Sequence, residues 1–231
     1  MKKVAIMQPT YLPWVGYFAL MDRVDVFVLF DSVQFARRSW QQRNQIKSVG
    51  VAKFLTVPIK KSGLRDQLIS ETEINSDENA LDKHIRIIEA DYKAAPFFKK
   101  YGPGLFDILT ARPSLLADLN IQLILFLKEA LGIKTEIIRS STLKAAGTKA
   151  DLLADICQQL EADQYISPLG SKEYMVVSSA FSDRNIDVLY QDYQHPNYRQ
   201  LHGDFVPYMS VIDLLFNEGP ASRDIMINGI R

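Results

Sequence analysis

The chain has 231 residues with 27 Lys plus Arg against 27 Asp plus Glu, so its formal net charge is zero; 47% of residues are hydrophobic and 23% charged. That balance excludes a disordered chain and argues against a surface built for nucleic acid, and the length is enough to bury a sizeable core without staples. One cysteine, Cys157, excludes an internal disulfide and a multi-cysteine zinc site and fits a reducing cytoplasm. No apolar run reaches the roughly 18 residues of a spanning helix, and the two lysines at the start precede too short an apolar stretch for a signal peptide.

Val4–Met7 is a short apolar run ended by Gln8-Pro9 and reads as a buried strand. A turn follows, then a helix over Trp14–Asp22 and a β-prone run over Val24–Phe30, stopped by Asp31. Strand, helix, strand makes the two strands parallel neighbours and puts Gln8 and Asp31 at one C-terminal sheet edge, where open parallel sheets hold their ligands. Arg43–Ser48 and Val51–Ile59 suit a hairpin across Val49-Gly50, and residues 60–76 a polar connection. Helices are expected over Asn79–Tyr92, Phe97–Thr110 and Ser114–Leu131, the last from Leu115, Leu119, Leu123, Phe126 and Ala130 at helical spacing with Gly132 as its stop. The alternation resumes with a strand at Thr135–Arg139, a helix at Lys149–Leu160, strands at Gln164–Ser167 and Asp187–Gln191, and a helix at Met209–Asn217. The expectation is an α/β protein with a mostly parallel, Rossmann-like sheet, a single domain over 1–231, and a helical insertion or cap over 79–131.

Candidate site residues concentrate between Gln8 and Asn44. Gln8, Tyr11, Trp14, Gln34, Arg37, Arg38, Trp40, Arg43 and Asn44 supply hydrogen-bonding tips and flat rings of the kind a small-molecule pocket uses. No acidic residue occurs from Ser32 to Arg65, while Arg37, Arg38, Arg43, Lys47, Lys53, Lys60, Lys61 and Arg65 bring +8. Arginine forks match phosphate and carboxylate oxygens, which points to an anionic ligand; a solvated basic face, or nucleic acid stacking on Trp40, are the alternatives. Asp31, a carboxylate at a strand end, is the candidate general base, with His84 as the alternative if its helix folds over the crevice.

Ser167-Pro168-Leu169-Gly170-Ser171-Lys172 follows a predicted strand without the spacing of a Walker loop, yet Ser171 and its neighbours sit where a loop meets anions. His195, His202 and Asp204 match no metal-ligand spacing, so no metal is assigned. Cys157, at helical spacing with Leu153, Ile156 and Leu160, reads as core.

The run Gln8-Pro9-Thr10-Tyr11-Leu12-Pro13-Trp14-Val15-Gly16-Tyr17-Phe18, followed by Asp31–Phe35 and Arg37–Asn44, resembles the WbqC-like family. The resemblance extends through Lys83-His84, Tyr165–Pro168 and Ser210–Asn217. It implies a protein of bacterial surface-polysaccharide (O-antigen) assembly: a transferase acting on an activated or amino sugar, by N-acylation in one version, with nucleotide-sugar, acyl-CoA or lipid-linked diphosphate sugar as anionic partner and no cofactor specified. A non-catalytic scaffold of a glycan-assembly complex is the alternative. Val4–Met21 is also distantly similar to the opening of nucleotidylyltransferases and ligases with a His-x-Gly-His motif. Here Trp14-Val15-Gly16-Tyr17 keeps the glycine and lacks both histidines, which removes the imidazolium charge of that mechanism.

Overall fold

The structure is a computed structural model that describes residues 1–60, 66–172 and 178–230. The elements follow the predicted order: β1 (Lys3–Met7), α1 (Val15–Asp22), β2 (Val26–Leu29), β3 (Arg43–Ser48), β4 (Val51–Thr56), α2 (Ala80–Tyr92), α3 (Phe98–Thr110), α4 (Leu116–Ala130), β5 (Glu136–Arg139), α5 (Ala150–Gln159), β6 (Gln164–Pro168), β7 (Asp187–Gln191), α6 (Val211–Glu218) and α7 (Ser222–Ile227). The sequence reading lacks α7, a helix of six residues that follows Gly219-Pro220 and carries too few apolar positions to show a period.

Five strands form a wholly parallel sheet in the order β5-β2-β1-β6-β7, and β3 and β4 pair as a separate antiparallel hairpin. Counted in chain order within the sheet, this is 3-2-1-4-5, the doubly wound order of Rossmann-like folds. Period-two alternation divides the core in two. Ala5, Phe27 and Leu29 face one cluster, shared with α1, α2, α3, α4 and α6. Val4, Ile6, Val26 and Val28 face the other, closed by Ala150, Leu153, Ala154, Ile156 and Cys157 of α5. Cys157 is buried there, and burial pushes its thiol well above the usual range.

The sheet changes direction between β1 and β6. The chain builds outward from β1 through β2 to β5, then returns to the other side of β1 for β6 and β7. β1 stays in register with β2 over four pairs, from Val4↔Val26 to Met7↔Leu29. Against β6 it pairs only at Lys3↔Gln164 and Val4↔Tyr165. The two strands therefore part toward their C-terminal ends, and a crevice opens where the topology reverses.

On the far side of β1 the sheet edge is closed. Asp31, just past β2, is fully buried and receives Arg139 Nε at 2.7 Å, the Ser140 hydroxyl at 3.1 Å, and the Ser141 amide and hydroxyl, each at 2.9 Å. Arg139 also reaches Asp118 of α4 at 3.0 Å. This knot ties the ends of β2 and β5 to α4. Removing the buried carboxylate takes the acceptor from Arg139 Nε, two hydroxyls and the Ser141 amide. Asp31→Ala is expected to lower unfolding free energy by about 3 kcal/mol, read from urea denaturation.

Candidate functional site

The crevice between β1 and β6 is a cleft of about 420 Å³. Its walls come from the end of β1 (Ile6, Met7, Gln8, Thr10), from Ser39-Trp40-Gln41, and from Tyr165, Ser167, Pro168, Gly170 and Ser171 at the end of β6. A second lobe of about 360 Å³ shares Met7, Thr10 and Trp40 and adds Trp14, Tyr17, Asn44 and Tyr208. Among the described residues the lining carries no charged side chain. It consists of amides, hydroxyls, aromatic rings and a few aliphatic groups.

The polar groups are held by bonds from distant parts of the chain. Gln41 Nε2 donates to Gln8 Oε1 at 2.8 Å, and Gln41 Oε1 accepts from the Ala36 amide at 2.9 Å. Beneath them Asn120 of α4, fully buried, donates through Nδ2 to the carbonyls of Pro9 (3.1 Å) and Gln41 (2.8 Å). Asn44 Nδ2 donates to the Leu12 carbonyl at 2.7 Å and so supports a left-handed residue, Leu12 at φ 44°. The Tyr17 hydroxyl donates to the Gln8 carbonyl at 3.3 Å. At the β6 end the Ser167 and Ser171 hydroxyls lie 2.7 Å apart, and Ser171 donates to the Pro168 carbonyl at 2.8 Å.

Two tryptophans flank the opening. Trp40 is 53% exposed and packs on Phe54 of β4 with ring centroids 6.0 Å apart. Trp14 stands at the N-terminus of α1, and its indole folds back over the first turn; a Cβ on Gly16 would lie 2.3 Å from that ring. The glycine is what lets the indole lie there.

The structure therefore gathers Gln8, Trp14, Trp40, Asn44 and Ser171 from the expected residues into one cleft. The others lie elsewhere. Tyr11 is fully buried, and its hydroxyl bonds His84 Nδ1 at 2.8 Å. His84 also meets the Thr56 backbone, so neither residue faces the cleft. Asp31 is in the knot described above, with both oxygens occupied. Gln34 donates to Asp66 at 3.0 Å and bridges to Leu68.

The basic run does not converge either. Lys47 is fully buried with its ammonium on the Gly203 and Asp204 carbonyls. Arg43 lies over the Phe54 ring at 4.7 Å, and Lys60 pairs with Glu73 at 2.5 Å. Lys53 is exposed on β4, and Arg37 and Arg38 are exposed on the turn that leads into Ser39-Trp40. Lys61 and Arg65 lie outside the described residues. Burial and pairing disperse a charge that looks continuous along the chain.

Sequence reasoning missed Thr10, Ser39, Gln41, Tyr165, Ser167 and Tyr208. The first five stand beside residues it chose, in the segments 8–44 and 164–171. Tyr208 comes from a long connection after β7 and carries no local signal. Among the described residues no three His, Cys, Asp or Glu side chains are grouped to hold a metal, and no helix is long and apolar enough to cross a membrane. A separate cavity of about 230 Å³ beside α2 is flanked by two internal ion pairs, Lys60–Glu73 and Arg112–Asp82.

Comparison with known proteins adds a family. The model of the WbqC-like protein family matches residues 8–225. The Uncharacterized protein Rv1507c of Mycobacterium tuberculosis is 37% identical over 228 residues, covering 98% of this chain and 98% of its own. No solved structure matches the chain.

Two outcomes follow from this geometry. Burial lowers the His84 pKa from 6.5 to about 4. The unfolded chain then takes up a proton near pH 6.5 that the folded chain refuses until about pH 4, so stability is full above pH 6.5 and falls with pH between those values. The loss is about 3 kcal/mol, and His84→Gln should flatten it in urea melts taken from pH 7 to pH 4. Gly16→Ala should expel the Trp14 ring from the first turn of α1, visible as a red-shifted tryptophan emission with the far-ultraviolet dichroism kept.

Proposed function

The chain belongs to the WbqC-like protein family, and from that premise we propose that it binds an activated sugar in the β1/β6 cleft and acts as a transferase in surface-polysaccharide assembly. The observation that carries the reading is the neutral, aromatic-flanked lining. A pyranose ring has an apolar face of C–H bonds and a rim of hydroxyls. Flat rings such as Trp14 and Trp40 cover the face, and planar amides and hydroxyls answer the rim. Gln8, Asn44, Ser39 and Ser167 are the amides and hydroxyls we assign to that task. A carboxylate or a lysine at the centre would favour a charged ligand portion there, and the described lining has none.

The phosphate portion of the donor falls to the rim. Arg37 and Arg38, both exposed residues, stand on the turn that ends in Ser39-Trp40, so a sugar seated against Trp40 extends its diphosphate toward that turn. The anionic partner in this reading is a nucleotide-sugar or a lipid-linked diphosphate sugar, with the charge outside the cleft and the sugar within it.

The chain has two tryptophans, and both line the cleft, so intrinsic fluorescence reports ligand directly. Titration with UDP- and dTDP-amino sugars should give a saturable change that ATP and acetyl-CoA do not. Trp40→Ala should weaken the binding about tenfold, the worth of one aromatic contact, with an unchanged melting temperature. Turnover on mixing donor with an amino-sugar or lipid acceptor separates a transferase from a scaffold that binds the same sugar. No saturable change with any nucleotide-sugar removes the proposal.

A further inference from the structure

His195 packs behind the cleft wall. Its ring lies nearly parallel to Trp14, at 20° with centroids 6.3 Å apart, and edge-on to Tyr208, at 72° and 5.2 Å. Both of those residues line the cleft. Phe205 at 5.7 Å and Tyr198 at 6.0 Å close the remaining sides.

The two ring nitrogens are not equivalent. Nδ1 lies 2.9 Å from the Pro196 carbonyl. A carbonyl only accepts, so Nδ1 carries the hydrogen and Nε2 is left as a bare acceptor. Nε2 is buried and has no hydrogen-bond partner among the described residues. Burial holds the ring below the usual histidine pKa, more than the Pro196 bond raises it, so the lone pair is unprotonated near neutral pH. The other histidines are committed: His84 Nδ1 to Tyr11, and His202 Nε2 to the Asp91 carbonyl at 2.7 Å. A buried acceptor without a donor is destabilising by itself, so the fold bears a penalty here that a ligand would relieve.

We propose that His195 Nε2 is the proton acceptor of the cleft, reached by a substrate hydroxyl or amine once Tyr208 turns aside. Tyr208 is 57% exposed and meets the imidazole in a T-shaped contact. The inference rests on the sugar-binding reading of the cleft. As the acceptor's oxygen or nitrogen bonds to the group transferred from the activated donor, its proton passes to Nε2. The bond to the donor's leaving group breaks, and that group departs with the electron pair. The imidazolium is held by Nδ1–H on the Pro196 carbonyl until solvent takes the proton.

Two measurements on the full chain test this. The first needs no ligand: acylation by diethyl pyrocarbonate, mapped by mass spectrometry, in the wild type and in Tyr208→Ala. Opening the wall should speed modification of His195 about tenfold while His202 is unchanged; an unchanged His195 rate overturns the proposal. The second follows the imidazole nitrogen resonances on saturation with UDP-N-acetylglucosamine. The His195 Nε2 signal should move as its lone pair takes a hydrogen bond, with the His84 signals still. If the sugar alters tryptophan fluorescence and Nε2 does not move, the sugar reading stands and His195 is not the acceptor. If the sugar alters neither, the sugar reading fails, and the acylation rates alone decide whether Nε2 opens to the cleft.

Discussion

β1 cannot follow both of its neighbours. It runs in register with β2 to the end of the strand, and keeps step with β6 for two residues only. The cleft described above opens where that second pairing stops. The strand ends there would leave backbone groups and apolar side chains open to solvent. The chain fills the gap from one side with Gln8-Pro9-Thr10 and Ser39-Trp40-Gln41, and from the other with the Ser167–Ser171 turn.

The filling is cross-braced by polar bonds from elements far apart in sequence. Asn120 of α4 holds Pro9 and Gln41 at once, across 111 and 79 residues. Gln41 in turn fixes the Gln8 amide. The helices α2, α3 and α4, which lie between the hairpin and β5 in the chain, thus do more than cover one face of the sheet: one of them holds two segments of the cleft wall from behind. On the other wing, Lys47 and Tyr92 pin the late connection. Lys47 caps the Gly203 and Asp204 carbonyls, and Tyr92 shares the buried Asp213 with Gln200. That connection carries His195 and Tyr208, so a buried polar network decides where the aromatic wall stands. Burial raises the Asp213 pKa against these hydrogen bonds, which lower it.

The elements were legible in the sequence because their hydrophobic periods are clean. Val4–Met7 and Val26–Leu29 are buried on both faces and read as continuous apolar runs, and α4 repeats its leucines at helical spacing. The cleft was half legible. Gln8, Trp14, Trp40 and Asn44 stand near predicted strand ends, and topology alone sends such residues to one edge. What failed was the step from residue type to exposure. Asp31 and Lys47 are charged, and Tyr11 and His84 are polar at their tips, yet all four are buried and spent on other parts of the protein. Nothing local to Asp31 tells that Arg139, Ser140 and Ser141, more than 100 residues later, will occupy its oxygens. Tyr208 and the free nitrogen of His195 depend on how a strand-poor connection returns to the cleft, which no period records.

The proposed function stands or falls on whether a sugar sits in the neutral cleft at the β1/β6 parting. A crystal structure of the full chain with a bound UDP-amino sugar tests it most directly. Density is expected for the sugar ring between Trp14 and Trp40, within hydrogen-bond reach of Gln8 and Asn44, with the diphosphate leading out past Arg37 and Arg38. Sugar density in the cavity beside α2, between Lys60 and Arg112, with the cleft empty would contradict it.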